Sequence, residues 1–116
     1  MAIIQITDLH LRTIIGINDW ERREKQDILI NILIEYDATK AAKSDKLQDT
    51  IDYKAITKEI IKKVEESKYK LLEKLVDMIL GIVLKHPLVE MATVKVDKPQ
   101  ALRFARSVSV ELTKRK

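Results

Sequence analysis

The chain has 116 residues, of which 46% are hydrophobic and 34% are charged, with a formal net charge of +4. This composition is typical of a single globular domain, expected over residues 1–116, and argues against a disordered chain. The absence of cysteine excludes disulfides, thiolate catalysis and zinc–thiolate sites, and is compatible with a cytoplasmic protein.

The first part of the chain predicts two long strands. Apolar residues alternate over residues 3–13 until Gly16 interrupts the pattern. Over residues 27–37 the alternation is strict, which is the strongest strand signal in the sequence. Leu29 and Leu33 fall on the opposite face of this second strand from its isoleucines. A long hairpin is therefore expected.

The remaining pattern predicts two helices followed by a second hairpin. From Lys54 the period changes to that of an amphipathic helix. A second helix follows over residues 72–83, and Pro87 bounds its end. Alternation at residues 92–98 and 107–113 predicts the last two strands.

The predicted element order is ββααββ, which indicates an α+β domain. We expect a four-stranded antiparallel sheet with both helices packed on one face. Apolar residues left on the second face, together with free sheet edges, predict self-association.

One lysine lies at a closely defined position in this scheme. Lys98 ends the third predicted strand and precedes Pro99, which holds the residue before it extended. Arg103 and Arg106 follow in the next loop. Taken alone, Lys98 also fits a strand-end lysine whose stem covers apolar surface.

Three further residues are candidates for a site. Glu21 lies in a polar loop, Tyr53 precedes the first helix, and Glu73 lies near the start of the second, where the helix dipole favours a carboxylate. Each also fits a structural role on its own. Together with Lys98 they form a set that can transfer protons without a metal, a thiol or a histidine, and a carboxylate can hold an amidine-like edge by two hydrogen bonds.

Four separated segments resemble the dihydroneopterin aldolase and dihydroneopterin triphosphate epimerase family. They are IGINDWERREKQDILIN (15–31), DTIDYKAITKEI (49–60), KLLEKL (70–75) and VKVDKPQALRFARSVSVEL (94–112). The resemblance covers nearly the whole chain in order. It implies the ββααββ subunit known as the tunnelling fold (T-fold), assembled into a ring or barrel.

The resemblance also implies a role for each candidate residue. Lys98 is expected to act through an ordered water in the deprotonation that starts cleavage of the substrate side chain, with Glu21 beside that water. Tyr53 is expected to help protonate the enol-type intermediate. Glu73 is expected to bind the 2-amino and N3 edge of the pterin, with Leu72 in the same substrate-binding segment.

The implied reaction needs no cofactor and no metal. The N5=C6 imine of 7,8-dihydroneopterin accepts the electrons released when the C1′–C2′ bond breaks. The products are 6-hydroxymethyl-7,8-dihydropterin and glycolaldehyde, in folate and tetrahydropterin metabolism. Re-forming the bond on the other face of the aldehyde gives the C2′ epimer. The family also implies a homo-oligomer, a tetramer or octamer with active sites at subunit interfaces, in which Tyr53 comes from a neighbouring subunit.

The sequence leaves the main activity open. Residues 19–21 and 40–45 resemble aldolases, whereas residues 71–75 and 101–112 resemble epimerases. We predict aldolase cleavage with epimerisation at the same site; the alternative is mainly a triphosphate 2′-epimerase, in which Arg103 and Arg106 meet the triphosphate. These arginines also fit a solvated loop.

Two other classes of function remain as alternatives. One is a non-catalytic pterin- or nucleotide-binding module, which needs Glu73 but has no use for Lys98. The other is a small RNA-binding domain, suggested by charge alone. An aromatic content of 4% is too low for a base-stacking platform, so no nucleic acid partner is expected. No apolar run is long enough to cross a membrane, and no signal peptide is expected.

Overall fold

A computed structural model describes all of residues 1–116. In chain order, the elements are β1 (Ala2–Ile15), β2 (Gln26–Tyr36), α1 (Thr39–Ser44), α2 (Tyr53–Glu66), β3 (Lys68–Tyr69), α3 (Leu72–Leu84), β4 (Val89–Pro99) and β5 (Ser107–Arg115). Short 3-10 turns at Trp20–Arg22 and Leu47–Asp49 lie in the connections after β1 and α1. The predicted order of long strands and helices is confirmed, with α1 and β3 as additions.

The sheet has the strand order β3–β1–β2–β4–β5. The long strands pair antiparallel, as predicted, whereas β3 pairs parallel to the end of β1, with Ile14 opposite Lys68 and Ile15 opposite Tyr69. The predicted number of four strands is therefore wrong, because the sheet has five. A two-residue strand is too short to show the alternation by which strands are found in a sequence.

The core lies between the long helices and one face of the sheet, which confirms the α+β class. Helix α2 packs on β1, and α3 packs on β4 and β5. Alternate residues of β2 from Ile28 to Tyr36 are buried on this face, as predicted. Each fully buried isoleucine contributes roughly 2 kcal/mol through the hydrophobic effect. None of the helices has the length and apolar character that a membrane crossing requires.

The helix-free face is more polar than expected. Leu29 and Leu33 are only partly exposed there, and their cross-strand neighbours are polar residues such as Gln5 and Asp97. Large exposed apolar side chains lie instead toward the two ends of the strands. They are Ile17, Trp20, Leu71, Leu102 and Phe104 at one end, and Met1, Ile3, Leu47 and Tyr53 at the other.

The molecule is elongated, with extents of 52 × 26 × 21 Å. We call the end formed by residues 16–25, 67–71 and 100–106 the loop end. The far end is formed by residues 1–4, 36–53 and 86–89. Helix α2 runs between them: Thr13 Oγ1 donates a 2.7 Å hydrogen bond to the carbonyl oxygen of Val64 near its C-terminus, so that its N-terminus lies at the far end.

Candidate active site

The loop end is organised around Glu21. Strand β1 ends at Ile15, and Gly16 follows with a φ of 128°, a conformation that favours glycine. The chain then enters the 3-10 turn Trp20–Arg22, which buries Glu21 so that its side chain packs on the backbone of Gly16. A Cβ atom at position 16 would overlap the Glu21 carboxyl group. The glycine is therefore required by both backbone conformation and space.

Four donors converge on the buried carboxylate. The backbone N–H and the side-chain Nδ2 of Asn18 donate to Oε1 of Glu21 at 3.2 and 2.9 Å. Gln26 Nε2 donates to Oε2 at 3.0 Å and also to the carbonyl oxygen of Ile15 at 2.7 Å. Lys98 Nζ forms an ion pair with Oε2. Glu21 and Lys98 are therefore brought together by the fold, although they lie far apart in the sequence.

Lys98 occupies the strand end that the sequence predicts. It lies opposite Val108 in the β4–β5 ladder and precedes Pro99, the last residue of β4. Ser107 Oγ donates a 2.8 Å hydrogen bond to the neighbouring Asp97, which closes the base of the loop between β4 and β5. The Lys98 side chain is only 13% exposed, so its ammonium group is directed into the structure rather than into solvent.

The environment of Glu21 keeps it ionised. Burial raises the pKa of this carboxyl group, but hydrogen bonds from Lys98, Gln26 and Asn18 and the charge of Lys98 outweigh the burial. The net effect lowers the Glu21 pKa from 4.5 to about 2. A carboxylate held this way does not release or take up protons near neutral pH; it can accept hydrogen bonds from a lysine, a hydroxyl or a water.

The start of α3 is attached to the same end of the molecule. Gly16 N donates a 3.2 Å hydrogen bond to the carbonyl oxygen of Tyr69, and α3 begins three residues later at Leu72. Glu73 lies exposed in the first turn of α3, and Leu72 is partly buried. Leu71, at the N-cap position, provides no side-chain cap to the free backbone N–H groups of this turn. An exposed carboxylate beside such donors can bind an amidine-like edge.

Tyr53 lies at the opposite end of the molecule. It is the first residue of α2, is 51% exposed, and lines a surface cavity with Ile4. Ile4 and Ile15 lie at opposite ends of β1, roughly 36 Å apart at the usual rise per residue. Tyr53 therefore does not meet Lys98 within one chain. The predicted set is divided between two ends: Glu21, Glu73 and Lys98 at the loop end, and Tyr53 at the far end.

The two loop arginines follow Pro99 in a fully exposed segment. The guanidinium of Arg103 lies over the ring of Phe104, 5.2 Å from its centroid. Neither Arg103 nor Arg106 takes part in an ion pair. Both are free to contact an anion at the loop end.

The largest cavity does not coincide with these residues. It measures about 910 Å³ and lies at the far end, between the α1 region and the turn containing His86 and Pro87. A smaller cavity of about 280 Å³ at the loop end is lined by residues that include Trp20, Gln26 and Pro99. Neither is lined by Glu21, Glu73 or Lys98, so one chain does not enclose these three residues in a large cavity.

Several residues at the loop end escaped the sequence prediction. Asn18 and Gln26 fix Glu21, and Arg22 binds the backbone of β3. Amides and arginines in a polar loop give no signal by themselves, because most of them are solvated. The position of Gly16, directly after a long alternating segment, was the one local sign of a special backbone conformation.

Comparison with known proteins identifies the family. The family described as FolB: dihydroneopterin aldolase matches residues 4–113. The chain is 48% identical over 112 residues to the dihydroneopterin triphosphate 2′-epimerase of Pseudomonas aeruginosa, covering 97% of this chain and 91% of that protein. It is 31% identical over 110 residues to the dihydroneopterin aldolase of Escherichia coli, covering 95% of this chain and 90% of that protein.

The fold agrees with the sequence comparison. The crystal structure of the Escherichia coli dihydroneopterin aldolase in complex with neopterin matches with a TM-score of 0.93 at 30% identity, covering 98% of this chain and 99% of that one. The chain is thus an enzyme of the pterin-processing class. It belongs to the dihydroneopterin aldolase family, whose members related to this chain include both aldolases and triphosphate 2′-epimerases. The resemblance in the four sequence segments is confirmed.

Proposed function

We propose that this enzyme epimerises 7,8-dihydroneopterin triphosphate at C2′ and cleaves 7,8-dihydroneopterin as a second activity of the same site. The observation that carries the chemistry is the buried pair of Lys98 and Glu21 at the end of the molecule where α3 presents Glu73. The order of the two activities rests on the identities, 48% to an epimerase against 31% to an aldolase. It reverses the order predicted from the sequence, where aldolase cleavage came first.

The reaction begins at the C2′ hydroxyl of the substrate. Lys98 acts through an ordered water in the deprotonation of this hydroxyl, while Glu21 remains a carboxylate and orients the lysine and the water. C2′ becomes the aldehyde carbon as the C1′–C2′ bond breaks. The electron pair of that bond forms a C1′=C6 double bond, and the electrons of the C6=N5 imine move onto N5.

The intermediate then has two fates. In epimerisation the aldehyde turns its other face to C1′, the C1′–C2′ bond re-forms, and the proton returns to the C2′ oxygen. In cleavage Tyr53 donates a proton to C1′, and 6-hydroxymethyl-7,8-dihydropterin and glycolaldehyde leave. The ratio of the two products is set by whether bond formation or protonation at C1′ is faster.

Substrate binding uses the two other parts of the loop end. Glu73 accepts two hydrogen bonds from the 2-amino and N3 edge of the pterin, and Leu72 lies in the same first turn of α3. Arg103 and Arg106 donate to the triphosphate, which an unphosphorylated substrate lacks. This arrangement places the pterin and the phosphates on opposite sides of the reacting bond.

A complete site requires a second copy of the chain. Tyr53 and the loop end lie too far apart to meet within one subunit, and each end exposes apolar side chains. A head-to-tail contact in which the far end of one copy covers the loop end of the next joins unlike surfaces, and such contacts form a ring when the rotation between neighbours closes. We therefore keep the expectation of a tetramer or octamer. A gel-filtration mass of a single subunit at micromolar concentration contradicts the ring.

The proposal is tested with purified protein and two substrates. Incubation with 7,8-dihydroneopterin and separately with its triphosphate, followed by chromatography with fluorescence detection, identifies the products. We expect the C2′ epimer of the triphosphate to dominate. Lys98→Ala should lower turnover by about 10³-fold while neopterin binding is retained, because a general base contributes to catalysis rather than to pterin binding. Lys62→Ala, on the exposed side of α2, is the matched control.

Other outcomes identify other functions. Dominant hydroxymethyl-dihydropterin from the unphosphorylated substrate makes the chain an aldolase, as the sequence alone predicted. The relationship to the Escherichia coli aldolase favours this second candidate. Turnover of neither substrate, with neopterin still bound, leaves a pterin-binding module and contradicts the catalytic role of Lys98.

A further inference from the structure

Arg22 connects the two chain segments that form the loop end. Its Nη1 donates to the carbonyl oxygens of Gly16 at 2.9 Å and Tyr69 at 3.0 Å, and its Nη2 donates to the carbonyl oxygen of Lys68 at 2.6 Å. One guanidinium therefore spans the end of β1 and the whole of β3. The planar fork of donors suits such an arrangement, which an ammonium group cannot reproduce.

The contacts of Arg22 are unusual for a cation in a polar loop. It is partly buried and takes part in none of the ion pairs of the chain, so its charge is met only by backbone carbonyl groups. Arg23, the next residue, is exposed. The difference between these two adjacent arginines indicates that Arg22 holds the backbone segments that it contacts in a fixed arrangement.

The two segments that Arg22 joins have different functions in the proposed enzyme. On one side, Arg22 follows Glu21 in the same 3-10 turn, and Glu21 holds Lys98. On the other side, β3 runs directly into the start of α3, which carries Glu73. Apart from Arg22, the two-residue strand is attached to β1 by its short parallel pairing and the bond from Gly16 N to Tyr69 O.

We propose that Arg22 is a positioning residue that fixes the distance between the Lys98–Glu21 pair and the pterin-binding start of α3. This inference rests on the proposed function, in which Glu73 holds the pterin and Lys98 acts on its side chain. Arg22 itself touches neither. A displacement of about 1 Å between a bound substrate and its catalytic groups is sufficient to lower a rate by about 100-fold.

The test separates binding from turnover. Arg22→Lys keeps the charge but loses the fork, and Arg23→Lys is the matched control at the next position. We expect Arg22→Lys to lower kcat by about 30- to 100-fold and to change the Kd of neopterin by less than about threefold, because Glu73 still binds the pterin. Arg23→Lys should match the wild type in both. An unchanged kcat in Arg22→Lys overturns the proposal, as does a loss of neopterin binding equal to the loss of turnover.

A second measurement does not depend on activity. Amide hydrogen exchange in residues 67–75 should be faster in Arg22→Lys than in Arg23→Lys, because a lysine cannot replace both hydrogen bonds that the guanidinium donates to β3, at the carbonyl oxygens of Lys68 and Tyr69. Equal exchange in the two variants contradicts a structural role of Arg22 in holding β3.

Chemical rescue is a third measurement. Millimolar methylguanidinium should raise the kcat of Arg22→Ala, and failure of rescue in a folded variant contradicts a role for the guanidinium group. Absence of wild-type turnover rejects the proposed function. The exchange experiment then still decides whether Arg22 holds β3 in place.

Discussion

The two ends of this molecule present catalytic candidates in opposite ways. At the loop end, Glu21 is 3% exposed and is held by Asn18, Gln26 and Lys98. At the far end, Tyr53 is 51% exposed at the start of α2. The candidate groups of the loop end are held by contacts within the chain, whereas Tyr53 at the far end is exposed to solvent. One chain therefore contains all four candidate residues but does not bring Tyr53 to the other three.

The loop end carries Lys98 and Glu21, the pair to which the proposed function assigns the proton transfer. A buried ion pair without further hydrogen bonds is costly, and here the carboxylate receives hydrogen bonds from two amide side chains as well as from the lysine. The far end carries Tyr53, which in the proposed function acts in the site of a neighbouring subunit. In the ring that we propose, every subunit presents one fixed half-site and completes the half-site of a neighbour.

Mixing two inactive variants gives the strongest test of whether Lys98 and Tyr53 act together across a subunit interface. Tyr53→Phe and Lys98→Ala are each expected to lose cleavage activity by about 10²- to 10⁴-fold. If the two residues act across an interface, subunits refolded together should recover about a quarter of the wild-type cleavage rate. Random mixing leaves that share of sites with Lys98 from one variant and Tyr53 from the other.

The control for mixing is Lys98→Ala refolded with itself, which should stay inactive. A double variant carrying both changes, refolded in equal amount with the wild type, should also keep about a quarter of the sites if the two residues act across an interface, whereas sites within one chain would keep about half. Lack of recovery in the mixed sample, with ring assembly intact by gel filtration, contradicts a site in which Lys98 and Tyr53 come from different subunits.

Substitutions at the two glycines of the chain test how closely Glu21 packs at the loop end. Gly16→Ala should lower the free energy of unfolding by about 3–4 kcal/mol, because the new Cβ overlaps the Glu21 carboxyl group and φ is 128°. Gly81→Ala should raise it by about 0.5–1 kcal/mol, since nothing lies within 4 Å of the added atom inside α3. Urea unfolding followed by Trp20 fluorescence measures both at one protein concentration.

These two substitutions are chemically identical and differ only in place. Equal effects at positions 16 and 81 contradict the close packing of Glu21 on Gly16. A destabilised Gly16→Ala that retains the wild-type kcat also weakens the account, because the overlap acts on the carboxylate that holds Lys98.

Much of the fold follows from local patterns in the sequence. The alternation of β2 fixes which face is buried, and Pro99 fixes Lys98 at the end of β4. A further signal was available: apolar residues occupy even positions at Ile4 and Ile6 but odd positions at Leu9 and Leu11. The strand register shifts between Ile6 and Leu9 at a β-bulge, so both pairs face the helices.

The long-range contacts of the candidate site could not be predicted from local sequence patterns. Lys98 and Glu21 are 77 residues apart, and no local periodicity reports a pairing of that range. The separation of Tyr53 from Lys98 within the chain likewise depends on which end of β1 each segment reaches. Family resemblance identified these residues, whereas the structure alone shows which of them meet.

Acid titration tests the ionisation of Glu21 at the loop end. Because the Glu21 pKa is lowered from 4.5 to about 2, its ionised form stabilises the fold above pH 4.5, and this contribution is lost as the pH falls toward 2. Glu21→Gln removes the contribution at every pH. The difference in unfolding free energy between wild type and variant should therefore shrink by about 2–3 kcal/mol between pH 6 and pH 2.5.

The comparison with the variant isolates Glu21 from other acids. Hydrogen bonds from Ser44 to Asp49, and the Lys114 contact to Asp77, also lower the pKa of those carboxyl groups, but wild type and variant share them. Urea unfolding at several pH values supplies the free energies. A difference that stays constant down to pH 2.5 contradicts a lowered Glu21 pKa, and with it the charged carboxylate that the proposed mechanism places beside Lys98.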